Sequence, residues 1–199
     1  GAFTNGGEGQ ATMAQYLLKP DWLLPKGAES ISFDHGSLAC CGLGPSFGAL
    51  NRMDVDAFDT LLITGLGPVG LGGVINGVYR GARVIAVDSQ PWRAQRALDL
   101  GAEVALAPAA DTLEMIRDLT DGQGVDKALD CSGSVAAHRL CIDATRRRGQ
   151  VAFVGECSDD THIRISPDMI RKGLTLVGSW HYNRRDADTI LRIIEEQPT

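Results

Sequence analysis

The sequence predicts an α/β protein built on a doubly wound, six-stranded parallel sheet, and three observations predict it. From Thr60 onward, short apolar runs alternate with longer amphipathic stretches, the pattern of strands joined by helical crossovers. Those runs are apolar throughout rather than alternating, as expected of parallel strands covered on both faces. The first strand also leads into a glycine-rich turn, Gly65-Leu-Gly-Pro-Val-Gly70, with a second strand beyond it ending in Asp88.

Each element has its own signal. Residues 1–10 are a Gly-rich lead-in. Residues 14–18 and 22–24 read as two short strands interrupted by Pro20. Ser32 is a plausible N-cap for a helix over 33–40. Gly42, Gly44 and Pro45 are expected to break that helix before a second one over 47–52. Residues 61–64 form strand one. Pro68 opens the next helix, where its missing N–H costs nothing, and Gly70, Gly73 and Gly77 give that helix a bare face for the sheet. Residues 84–87 form strand two and 91–100 a helix closed by Gly101. Strand three covers 103–106, and a helix with Asp111 near its N-cap covers 111–119. Residues 127–130 give strand four. A helix over 134–146 is expected to end in Arg-Arg-Arg-Gly, cations where a helix C-terminus favours them. Strand five covers 150–154, strand six 174–177 and the last helix 183–196. No internal repeat appears.

Composition narrows the function classes. The net charge of −6 and a pI near 5.1 argue against a nucleic-acid or anionic-membrane surface. No apolar run approaches transmembrane length. The five cysteines lack C-x-x-C spacing, which suggests reduced thiols and a cytoplasmic setting.

The glycine turn carries the chemistry. Gly65, Gly67 and Gly70 make G-x-G-x-x-G between a strand and a helix, the Rossmann dinucleotide fingerprint. Gly65 allows the tight turn, Gly67 lets backbone approach a pyrophosphate, and the helix N-terminus offers N–H groups to the anion. Asp88 follows Gly70 by 18 residues, about where a carboxylate accepts hydrogen bonds from the adenosine ribose. It would repel a 2′-phosphate, so NAD is expected over NADP. Arg93 lies just beyond and could pair with a phosphate.

The stretches GLGPVGLGGV (65–74), VIAVDSQPWRAQRALDLGAE (84–103), LDCSGS (129–134), GQVAFVG (149–155) and LTLVGS (174–179) together resemble the cofactor-binding half of zinc-type alcohol dehydrogenases, in the medium-chain dehydrogenase/reductase superfamily. The resemblance implies that Gly65, Leu66, Gly67, Pro68, Val69 and Gly70 cradle the pyrophosphate and that Asp88 and Arg93 border the adenosine. Ser132 would line the adenosine half, with Val154, Gly155 and Ser179 near the nicotinamide. It also implies that residues 1–25 are a lead-in and the tail of a catalytic domain, and that 26–199 form the NAD-binding domain. Cys41, in Cys41-Gly-Leu-Gly-Pro-Ser-Phe-Gly48, occupies the place of the last catalytic-zinc ligand. A catalytic zinc takes three protein ligands, and the resemblance finds no partners for Cys41 here, so a buried small thiol is the competing reading.

Two functions from different classes remain. One is the NAD-binding half of an enzyme moving hydride between NAD and a small alcohol or polyol, the isolated chain being inactive. The other is a stand-alone module that senses NAD without catalysis. A methyltransferase using S-adenosylmethionine is a third, disfavoured by the sixth strand and the Pro68 turn. Related dehydrogenases associate through strand six, which implies a homodimer.

Overall fold

The computed structural model describes residues 19–196. Helix α1 (Phe33–Leu38) runs through a π-helical segment, Ala39–Leu43, into α2 (Gly44–Arg52). Then β1 (Thr60–Thr64), α3 (Pro68–Tyr79), β2 (Arg83–Val87), α4 (Pro91–Asp99), β3 (Val104–Leu106), α5 (Thr112–Asp118), β4 (Val125–Asp130), α6 (Val135–Ala144), β5 (Thr145–Phe153), β6 (Thr175–Gly178) and α7 (Ala187–Glu196) follow. All strand pairs are parallel, in the order β3-β2-β1-β4-β5-β6. This is the doubly wound Rossmann arrangement the sequence predicts.

Side-chain alternation along each strand splits the core in two. Leu61, Ile63, Val84 and Ala86 face one layer, packed with Leu50, Met53 and Val74 from α2 and α3. Leu62, Ile85 and Val87 face the other, with Ile116 of α5 and Cys141 of α6. A third cluster joins Leu43 and Phe47 to Ile190 and Ile193 of α7.

Three local readings are corrected. The expected strand over 22–24 is a 3-10 turn, Asp21–Leu23, in which the Asp21 carboxylate accepts from the Trp22 N–H at 2.7 Å. Its companion over 14–18 lies outside the described residues.

Gly42, Gly44 and Pro45 do not end the first helix. The chain stays helical because the π segment lengthens the hydrogen-bond step, the Gly44 N–H reaching Ala39 O, and because Pro45 falls in the first turn of α2, where no N–H is needed. The glycine at 44 is also required by packing, since a Cβ there would run into the Tyr182 ring.

Asp111 is the N-cap residue of α5, as the sequence leads one to expect, but its side chain makes no cap bond; Thr112 ties the turn, accepting from Ala109 N at 2.7 Å and donating to Ala107 O at 3.0 Å.

The arginine run is not the end of α6. That helix stops at Ala144, with Thr145 Oγ1 donating to Cys141 O and Lys172 Nζ donating to Ile142 O and Asp143 O. With its last carbonyls satisfied, the chain enters β5 at Thr145 and Arg146–Arg148 belong to the strand. The last helix begins with a 3-10 turn, Arg184–Asp186, closed by a capping box between Asn183 and Asp186.

Candidate cofactor-binding site

The site lies where the parallel strands end. Gly65, at φ 80°, turns the chain sharply after β1 in a conformation that excludes most side chains. Its carbonyl sits so close to Gly70 that a Cβ on Gly70 would overlap it, which fixes the third glycine of the motif. Gly67 is different. A Cβ there would meet no atom within 4 Å. The space it leaves opens onto the groove, as a backbone cradle for a close-approaching anion requires. Gly67 is the N-cap of α3, and the first-turn N–H groups of Val69 and Gly70 lack acceptors inside the helix.

Asp88, 8 % exposed at the end of β2, ties this turn down. Its Oδ2 accepts from Leu66 N at 2.6 Å and its Oδ1 from Gln90 N at 2.8 Å. Each oxygen keeps acceptor capacity toward the groove. Arg93 Nη1 stands 3.7 Å from Asp88 Oδ2, and Arg93 Nε is buried without a partner.

A second buried carboxylate organises the opposite wall. Asp130 ends β4 fully buried. Its Oδ1 accepts from Thr64 Oγ1, Ser132 N and Ser132 Oγ, and its Oδ2 accepts from Gly133 N and faces His138 Nε2 at 3.2 Å. The Ser132–Gly133 turn is thus held from below. Nearby thiols are poor nucleophiles. Burial, then the Asp130 charge, pushes the Cys131 thiol well above its ordinary range. Burial also carries Cys141 to about 12, although the Thr64 hydroxyl acts against it.

Gly65, Gly67, Asp88, Arg93 and Ser132 line one cavity of about 570 Å³, the size of a small-molecule site. The other expected residues sit apart from it. Leu66 is buried in the core, Pro68 and Val69 begin α3, and Gly70 packs beneath the turn. Val154 and Gly155 follow β5, both N–H groups donating to Asp130 O, and Ser179 follows β6 with a buried hydroxyl that has no partner. At about 4.8 Å per strand, β5 and β6 lie roughly 14 and 19 Å from β2, so one cavity does not span them. Sequence reasoning missed Ser134, Thr112 and Arg139, which also line the cavity. Ser134 caps α6, its hydroxyl accepting from Ala137 N, and its facing the groove depends on how α5 and α6 pack.

The described residues fit a dinucleotide: an open glycine cradle, a ribose-height carboxylate, and an orphaned Ser179 hydroxyl farther along the strand ends. They do not by themselves fit zinc. Cys41 is exposed on the π segment, and among the described residues no group of three His, Cys, Asp or Glu side chains could hold a metal.

Comparison with known proteins agrees with this geometry. Residues 68–196 match the zinc-binding dehydrogenase family. The uncharacterized zinc-type alcohol dehydrogenase-like protein YphC of Escherichia coli (strain K12) is 34 % identical over 170 residues, 84 % of this chain and 48 % of that protein. Alcohol dehydrogenase class-2 isozyme 2 of Oryctolagus cuniculus is 32 % identical over 194 residues, 94 % of this chain and 51 % of its own. Among solved structures, an alcohol dehydrogenase from Thermotoga maritima superposes with a TM-score of 0.81 at 25 % identity, over 87 % of this chain and 50 % of that one. The chain spans about half the length of the curated relatives it matches. With its strand order, its glycine turn and this likeness across most of its length, the chain belongs to the zinc-binding dehydrogenase family, whose cofactor-binding domain it represents.

Proposed function

We propose that this chain is the NAD-binding part of a dehydrogenase acting on a small alcohol or polyol, working outside any membrane in the cytoplasm. The observation that carries the reading is Asp88. Its carboxylate stands at the groove beside the open Gly67 cradle, already oriented by Leu66 N and Gln90 N. A carboxylate so placed accepts from ribose hydroxyls and repels a 2′-phosphate, which favours NAD over NADP. The Val69 and Gly70 N–H groups face the pyrophosphate, and Ser132, fixed by Asp130, borders the adenosine. Val154, Gly155 and Ser179 hold the nicotinamide end, where the Ser179 hydroxyl gains the partner it lacks. Bound NAD supplies the hydride acceptor for the alcohol carbon. Cys41 contributes one thiolate ligand to zinc only alongside ligands from outside the described residues, so no step is assigned to the metal. The chain alone is expected to bind NAD but oxidise no alcohol, because nothing described here positions a hydride donor.

No helix among the described residues is long and apolar enough to cross a membrane. The free edge of β6 is assigned to pairing with a second copy. Its outer side pairs with no strand among the described residues, and Ile165, Ile170 and Trp180 on the flanking segments are exposed.

Calorimetric titration with NAD, NADP and S-adenosylmethionine, with amide shifts locating the ligand, tests the reading. NAD binding that moves Gly65 to Gly70 and Asp88 is expected. Preference for S-adenosylmethionine, or shifts away from that turn, would overturn it.

A further inference from the structure

The arginine run that α6 does not use for its own C-terminus forms a separate feature at the other end of the sheet. Along β4 and β5 the register slips: Val125 is opposite Thr145, but Lys127 is opposite Gln150. The surplus residues on β5 bulge outward, carrying Arg146, Arg147 and Arg148 with them. Arg148 takes φ 60°, a left-handed conformation unusual for a residue with a long side chain, and its N–H is held by Lys172 O at 2.7 Å.

A hollow of about 190 Å³ lies beside this bulge, lined by Arg117, Arg146, Arg147 and Lys172 together with the Gly122–Gly124 turn. Its one carboxylate, Asp143, is already gripped by Arg139, Nε to Oδ2 at 2.8 Å and Nη2 to Oδ1 at 2.7 Å. Arg146 gives its Nε to Asp126 at 2.6 Å. The exposed guanidinium groups of Arg117 and Arg147 make no hydrogen bond or ion pair among the described residues. Burial, and the charges of Arg139 and Arg117 set against those of Asp143 and Asp168, hold the half-buried Lys172 ammonium below its ordinary range. On a chain of net charge −6, this is a local excess of cations with the forked geometry that matches tetrahedral oxyanions.

We propose that this hollow binds a di- or triphosphate group, with Arg117 and Arg147 as its principal ligands and Lys172 and Arg146 completing the charge. It lies at the N-terminal ends of β4 and β5, opposite the strand ends that carry Gly67 and Asp88, and shares only Asp143 with the lining of the cofactor cavity. The phosphate chain can be free polyphosphate or the tail of a nucleotide.

The test is titration of the whole chain with tripolyphosphate, and separately with ATP, at low salt, followed by amide shifts. Tripolyphosphate is expected to bind at sub-millimolar concentration and to move Arg117, Gly122, Gly124, Arg147 and Lys172. Arg117→Gln with Arg147→Gln should weaken it at least tenfold at an unchanged melting temperature, since both side chains are exposed. If ATP moves the same amides, the site accepts a nucleotide tail; if only tripolyphosphate does, its ligand is the free anion. Shifts confined to Gly65–Gly70, or an unchanged affinity in the double variant, would overturn the proposal.

Discussion

Replacing Asp88 with alanine separates two roles that the structure joins in one carboxylate. The first is structural: Leu66 N and Gln90 N lose their acceptor. Each such charge-assisted bond contributes about 1.5–3 kcal/mol when buried. The groove admits water to the vacated space, so a loss near the bottom of the range for the two bonds, about 3 kcal/mol in all, is expected and should appear as a lower melting temperature. The second role is recognition. A carboxylate about 5 Å from a 2′-phosphate, at an effective dielectric between protein surface and water, repels it by about 2 kcal/mol. Loss of a ribose hydroxyl bond takes a further 1 kcal/mol or so from NAD. The NAD-to-NADP affinity ratio should therefore fall by about 3 kcal/mol, roughly a hundredfold. NAD should bind more weakly, while NADP changes little, because relief of repulsion is offset by the loosened turn. Fluorescence titrations with NADH and NADPH give both affinities. Equal affinities in the original chain, or a ratio that the alanine leaves alone, would refute the reasoning.

Other substitutions probe the frame. Gly70→Ala places a methyl against the Gly65 carbonyl and should cost about 1–3 kcal/mol while weakening NAD binding, seen by thermal melting beside titration. Asp168 is 2 % exposed and holds Arg139 and Arg164. The Arg139 hydrogen bond first, then the Arg164 backbone and side-chain donors, against burial, keep its carboxyl well below the usual carboxylate range. A depressed acid stabilises the fold above its unfolded pKa of about 3.9, and the contribution is lost as pH falls toward the folded value. Asp168→Asn should therefore lower stability at pH 7 by about 2 kcal/mol and flatten the acid-side fall below pH 4, measured by denaturant melts across pH. Val177→Lys, on the edge strand, should convert a light-scattering dimer to a monomer; a mass that is monomeric from the start would remove the β6 interface.

Much of the site was legible because it is local. Gly65 to Gly70 and Asp88 lie within one βαβ unit, where glycine spacing and strand length decide the geometry. The helix-to-strand switch at Thr145 was not legible. Arg146 to Arg148 suit a helix C-terminus, but Lys172, 26 residues later than Arg146, takes that position across the sheet. The unbroken helix through Gly42–Pro45 was hidden for a similar reason, since its glycines answer to partners such as Tyr182 rather than to local preference. Asp130 was visible only as the end of a strand, because its hub of donors assembles from β1, the Ser132 turn and α6.

The π segment has a mechanical consequence. Gly72 of α3 rests against the Gly42 carbonyl so closely that no Cβ fits between them, and Asn76 Nδ2 donates to both Leu43 O and Ser46 Oγ. Two helices that touch through bare backbone and a shared amide cannot slide past one another in small increments. Cys41, one residue before Gly42, is consequently set at a constant offset from Gly67, one turn before Gly72. The fold thus fixes the spacing between the Cys41 thiol and the Gly67 turn that is proposed to hold the phosphates, so neither can shift without moving the other.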